Sequence, residues 1–140
     1  MDTTFFSNIN WLAILIAGLA FFMLGALWYS KILFAPKWIA YHKIDVNDPE
    51  LKKGTAAIMT GSLLMMVIVS IVLAILIERM QLSGWMSGLK LGLLTGLGFA
   101  TTAISITYLY TKKPFGLHLI DCGYHVVGHI IVAIILCSWQ

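Results

Sequence analysis

Charge is what this sequence most lacks. Asp, Glu, Lys and Arg make up only 11% of its 140 residues, while 60% are hydrophobic. Soluble domains average about 25% charged and about 45–50% apolar. With a mean hydropathy of +0.92, that scarcity excludes a soluble domain and points to an integral membrane protein. Cysteine is also scarce. Cys122 and Cys137 stand on one helix about 22 Å apart by helical rise, too far to bridge within a chain. They read as small apolar helix residues. No basic patch lies outside the loops, so the net charge of +3 gives no reason to expect a nucleic-acid partner. Residues 1–7 carry Asp2 and no Lys or Arg, so no cleaved signal peptide is expected. There is no nucleophile elbow, no phosphate loop, no paired Cys motif and no Glu between helical His ligands. Gly96, Gly98 and Thr101 miss the dinucleotide fingerprint at its last glycine. The few His exclude a multi-histidine membrane oxygenase. These absences favour a non-enzymatic role. No internal repeat is present.

What remains is room for four apolar spans in an all-α bundle of transmembrane helices. The first covers about 8–30, with Asn8, Asn10 and Trp11 at one interface and Trp28 and Tyr29 at the other. Its Ala17, Gly18 and Gly25 permit close helix approach. A loop from Lys31 to Lys53 follows. Pro36 starts a short helix there, and Trp38, Ile39 and Tyr41 beside Lys37 and Lys43 lay it in the interface. Asp48 caps and Pro49 begins a second long helix, whose membrane portion covers about 54–79. The third span covers about 84–110. Gly84, Gly88, Gly92 and Gly96, continued by Ala100, form a close-packing seam, either within the chain or across a dimer. Lys90 lies on the opposite face and snorkels. A turn at Thr111–Pro114 makes the third span an antiparallel neighbour of the fourth, at about 115–139. Homo-oligomerisation is expected, because four spans enclose little volume.

Lys31, Lys37, Lys43, Lys52, Lys53, Lys112 and Lys113 all fall on one side. The other side has Arg79 and, slightly inside, Lys90. The positive-inside rule places the Lys-rich loops in the cytoplasm and both termini outside.

The last span carries His118, Asp121, His125 and His129. At 100° per residue they fall within an arc of about 80°, in a ladder about 16 Å long. His118 lies near the cytoplasmic surface, and His125 and His129 approach the midplane. Ionisable residues in a membrane helix mark a functional site by default. Thr101, Ser105 and Tyr108 of the third span lie at matching depth. Together they predict a polar, cytoplasm-facing crevice between spans three and four, closed by Thr60 and Ser62 of span two and Tyr29 of span one. His42 reads as a solvated loop residue.

Three kinds of chemistry suit the stripe. Asp and His in alternation relay protons, since His titrates near neutrality. Asp121, His125 and His129 offer part of a metal site, completed from another helix. Hydrogen bonds along the stripe hold a polar solute or headgroup. The structural alternative is that these side chains tie helix to helix, at about 0.6–2 kcal/mol each. Proton or small polar or cationic solute handling is therefore set against an accessory subunit of a larger membrane complex, and against a metal-dependent membrane enzyme. No cofactor is called for, and a metal remains an option.

Gly25-Ala26-Leu27-Trp28-Tyr29-Ser30, then Leu33-Phe34 and Trp38, resembles the signature of an uncharacterised bacterial family, domain of unknown function seventeen-sixty-one. Gly98-Phe99, Gly123-Tyr124-His125 and Trp139 resemble its later landmarks. Ala35 stands where glycine is expected after Leu-Phe, which affects only the turn. The resemblance covers nearly the whole chain. It implies a small four-span protein of the bacterial inner membrane and supplies no activity.

Overall fold

The computed structural model describes residues 9–139. Asn8 and Asp2, used above to mark the first interface and to exclude a signal peptide, lie outside these residues. Among the described residues all regular structure is helical, and four helices are long and apolar enough to cross a membrane. Helix α1 is Trp11–Trp28. Its N-cap is Asn10, whose side chain accepts from the Ala13 amide at 3.0 Å, satisfying one of the amides that a helix start leaves open. The short helix α2, Ala35–His42, has Pro36 in its first turn, where a missing N–H is harmless. Helix α3 is Thr55–Met80, α4 is Trp85–Tyr110 and α5 is Phe115–Ser138.

The second long helix does not begin at Pro49. Pro49–Lys52 forms an isolated 3₁₀ turn, capped by Asp48. Lys53 is then extended, and Gly54 sits at φ +74. That left-handed residue resets the chain direction before Thr55.

Helix α5 is the central element. It buries Leu117, Ile120, Tyr124, Val132, Ala133 and Leu136 among others. Helices α1 and α3 pack on each other and on one side of α5, while α4 packs chiefly on α5 alone. The glycine seam lies inside the chain. A Cβ at Gly88, Gly92 or Gly96 would run into the α5 backbone at Ala133, Ile130 or Val126 respectively. Gly84 does not belong to the seam. It has open space around its Cβ position, a φ of +80, and an amide that donates to the Cys137 carbonyl at 2.8 Å.

Midway along α4 the helix opens into a π-helical stretch, Gly96–Thr101. In an unbroken α-helix Ser105 would lie about 180° round from Gly96, and Tyr108 about 120°. The extra residue held in a π turn takes back about 100°. Both the glycine seam and the Thr101–Ser105–Tyr108 stripe therefore face α5. Threonine hydroxyls bond back to carbonyls at either end, Thr95 to Leu91 at 2.9 Å and Thr102 to Gly98 at 2.7 Å, which favours a local bend. Beyond this stretch, none of Thr102–Tyr110 is buried. The half of α4 next to the Lys-rich loops thus stands away from α3 and leaves a gap.

Candidate functional site

The gap is a cavity of about 800 Å³ between α2, α3, α4 and α5. Asp121 lines it, buried to 8% exposure and about 9 Å along α5 from Phe115 by helical rise. Tyr29, just past the end of α1, donates its hydroxyl to one carboxylate oxygen at 2.6 Å. Tyr108 of α4 donates to the other at 2.5 Å. A carboxylate has about four lone-pair positions, so two remain open after both tyrosines have bonded. One turn nearer the loops, His118 Nε2 lies 2.7 Å from Ser105 Oγ. His125 lines the cavity beside Asp121, with its ring 4.9 Å from that of Tyr124. His129 is turned away from it. Its Nδ1 is 2.7 Å from the His125 carbonyl of its own helix, and its ring packs on Phe21 at 5.8 Å.

The four rungs read from sequence thus separate. Asp121 and His125 face the cavity, His118 bonds across to α4, and His129 belongs to the packed interior. Ser105 and Tyr108 meet α5 as expected. Thr101 Oγ1 is buried and faces the Cys122 thiol of α5. Ser62 lines the cavity on α3, whereas Thr60 does not and is exposed. Among the described residues, no three His, Cys, Asp or Glu side chains come close enough together to share a metal ion.

Sequence reasoning missed the roof. His42 is not a freely solvated loop residue. Its ring stacks on Trp38 at 4.1 Å, its Nδ1 is 3.0 Å from the Trp38 carbonyl, and both side chains line the cavity. Nothing in the spacing announces this, because it depends on how α2 folds back over the helix ends.

Residues 12–137 match the model of a family described as "Protein of unknown function (DUF1761)". The chain belongs to this family. Comparison with curated proteins and with solved structures gave no match. The geometry joins the stretches singled out in the sequence. Gly25 makes room for Tyr124, whose hydroxyl oxygen would stand 2.9 Å from a Cβ there. Trp28 donates its indole N–H to the Ile120 carbonyl at 3.0 Å, and its ring lies 3.2 Å from a Cβ placed at Gly123. Tyr29 holds Asp121. Trp38 packs its ring edge to face with Tyr29 at 5.7 Å. Gly25 to Trp38 and Gly123 to His125 are therefore two halves of one construction, which sets the Asp121 carboxylate against the cavity.

Proposed function

We propose that this multi-pass membrane protein handles protons together with a small polar or cationic solute, with Asp121 as the exchanging group. One observation carries this. Among the described residues Asp121 is the single carboxylate on the cavity wall, and it is held by two hydroxyl donors that leave acceptor positions free. A cavity of about 800 Å³ is within the usual range for small-molecule sites, about 300–1,000 Å³. The other titratable side chains lining the cavity are Tyr29 at the end of α1, His42 on α2, Tyr108 on α4 and His125 on α5. α3 contributes only the uncharged Ser62. Solute and proton compete for one carboxylate, so loading one releases the other.

The cavity opens at the end of the bundle that carries Lys31, Lys37, Lys43, Lys112 and Lys113. By the positive-inside rule that end is cytoplasmic. The protein then lies in a bacterial inner membrane with both termini outside, as a homo-oligomer, since four spans alone enclose little volume.

An accessory, purely structural role draws on different rungs. The His118–Ser105 pair joins α5 to α4, and the His129 ring packs on Phe21 of α1, whatever Asp121 does. The two readings part in reconstituted vesicles carrying a pH-sensitive dye inside. Solute-evoked proton movement is expected in the wild type, lost in Asp121→Asn and weakened in His125→Ala. Equal traces from all three proteins would leave the structural role.

A further inference from the structure

We propose that the crevice takes an amphiphilic organic cation, with its positive head at Asp121 and its apolar body along the α3 and α4 walls. This rests on Asp121 as the exchanging group and adds the chemical class of the solute.

Charge is the first argument. Seven lysines flank this end of the bundle, at positions 31, 37, 43, 52, 53, 112 and 113. None of them lines the cavity, and neither does an arginine. Among the described residues Asp121 is the only carboxylate there. A cation entering the cavity meets one buried negative partner and no repelling ammonium. An anion would meet the reverse.

The aromatic groups point the same way. Tyr29, Trp38 and Tyr108 surround the approach to the carboxylate. Their ring faces attract a cation, and the attraction grows where water is excluded. The two tyrosine hydroxyls that orient Asp121 leave acceptor positions for an ammonium N–H, or for the diffuse charge of a quaternary head.

The remaining walls exclude a bare ion. Ile39, Ile58, Met59, Ala103 and Ile104 give a surface that a hydrated metal or small inorganic ion cannot satisfy. Filling it instead requires an apolar body, since unpaired polar groups there are unfavourable. Ile58 and Met59 are 64% and 52% exposed while also lining the cavity. The cavity is therefore open sideways toward the hydrocarbon as well as toward the loops. A solute that already partitions into the cytoplasmic leaflet reaches Asp121 through the gap between α3 and α4. Binding breaks no covalent bond except the O–H of a protonated Asp121. Its proton passes to water directly or by way of His125, and the cation takes the vacated charge.

The test uses the purified full chain in lipid nanodiscs with three probes. Tetraphenylphosphonium has charge and apolar bulk, tetramethylammonium has charge without bulk, and triphenylphosphine oxide has bulk without charge. Binding is read by calorimetry and by quenching of tryptophan fluorescence. Proton release is read in weakly buffered solution. Tetraphenylphosphonium is expected to bind about tenfold or more tightly than either of the others and to release protons. Asp121→Asn is expected to lose about thirtyfold or more in that affinity, as removal of a buried charge partner does. Ile104→Trp, which fills the cavity without touching Asp121, is expected to abolish binding while helical circular dichroism is kept. Equal binding of the phosphonium and the neutral oxide, or no loss in Asp121→Asn, overturns the proposal. Proton release by tetramethylammonium but not by tetraphenylphosphonium also overturns it, yet leaves Asp121 as the exchanging group. If no probe releases protons and Asp121→Asn behaves as wild type throughout, both the solute class and the exchanging group are lost.

Discussion

Gly92→Ala adds one methyl group at the closest approach of α4 and α5. The new Cβ would collide with Ile130 Cα and stand 2.7 Å from the His129 carbonyl oxygen and 2.8 Å from the Ile130 amide nitrogen. All three are backbone atoms, so no rotamer change relieves the clash. The helices must separate by roughly 1 Å, which forfeits a quarter to a half of each lost dispersion contact along the seam. Overpacking a tight interior costs about 1–3 kcal/mol, and a rigid backbone neighbour places this case near about 3 kcal/mol. Gly61→Ala is the internal reference, since nothing lies within 4 Å of its Cβ position in the middle of α3. There the better helix propensity of alanine gives a gain of about 0.5–1 kcal/mol. Equilibrium unfolding in mixed micelles, followed by circular dichroism, measures both. A Gly92→Ala protein as stable as Gly61→Ala would refute the packing account. A Gly92→Ala protein that keeps monomer stability and loses only its oligomer would move the seam to an interface between chains.

Tyr29→Phe and Tyr108→Phe each remove one donor from Asp121, and in the unloaded protein, where that carboxyl holds its proton, each is expected to lose about 0.5–1.5 kcal/mol of stability, the range for hydrogen bonds between uncharged groups. A double-mutant cycle should show coupling between them, and additive losses would mean that the two tyrosines do not share one carboxylate. Gly128→Ala drives a methyl group into the Phe21 ring. It is expected to destabilise, with Phe21→Leu restoring part of the loss in the same unfolding assay, whereas equal losses from either Phe21 background would contradict the contact. Deleting Gly98 should convert the π turn of α4 into an α turn while keeping Ser105 and Tyr108 toward α5. The expected thermal midpoint is close to that of the wild type, and a deletion that unfolds the protein would show that the widened turn has a further role.

The sequence made the long helices legible because a membrane demands long apolar runs and allows few alternatives. It made α5 legible as the central element because polar residues on one stripe of a membrane helix must face protein or water. Depth was legible too, which is how Ser105 and Tyr108 could be matched to α5. Rotation was not. A regular helix would turn Ser105 and Gly96 to opposite sides, and only the π stretch reconciles them. Gly96 and Gly98 with Thr95, Thr101 and Thr102 are the sole hint of it, and similar clusters occur in unbroken helices. Pro49 has good helix-start chemistry, yet Gly54 takes a left-handed conformation that no local rule requires. Gly84 shares the four-residue spacing of the seam but serves as the turn before α4. His42 and Trp38 were out of reach because their placement depends on tertiary folding of α2.

Asp121 lies at the centre of the account, and its protonation is directly observable. Among the described carboxylate residues, Asp45, Asp48, Glu50, Glu78 and Asp121, it alone lines the crevice. Infrared difference spectra of the protein in bilayers, recorded with and without tetraphenylphosphonium, report a carboxyl C=O stretch that appears or vanishes with the proton. The account predicts that loading removes a protonated-carboxyl band, that Asp121→Asn lacks this band, and that Glu78→Gln retains it. A band that is unchanged on loading, or that survives in Asp121→Asn, would contradict it.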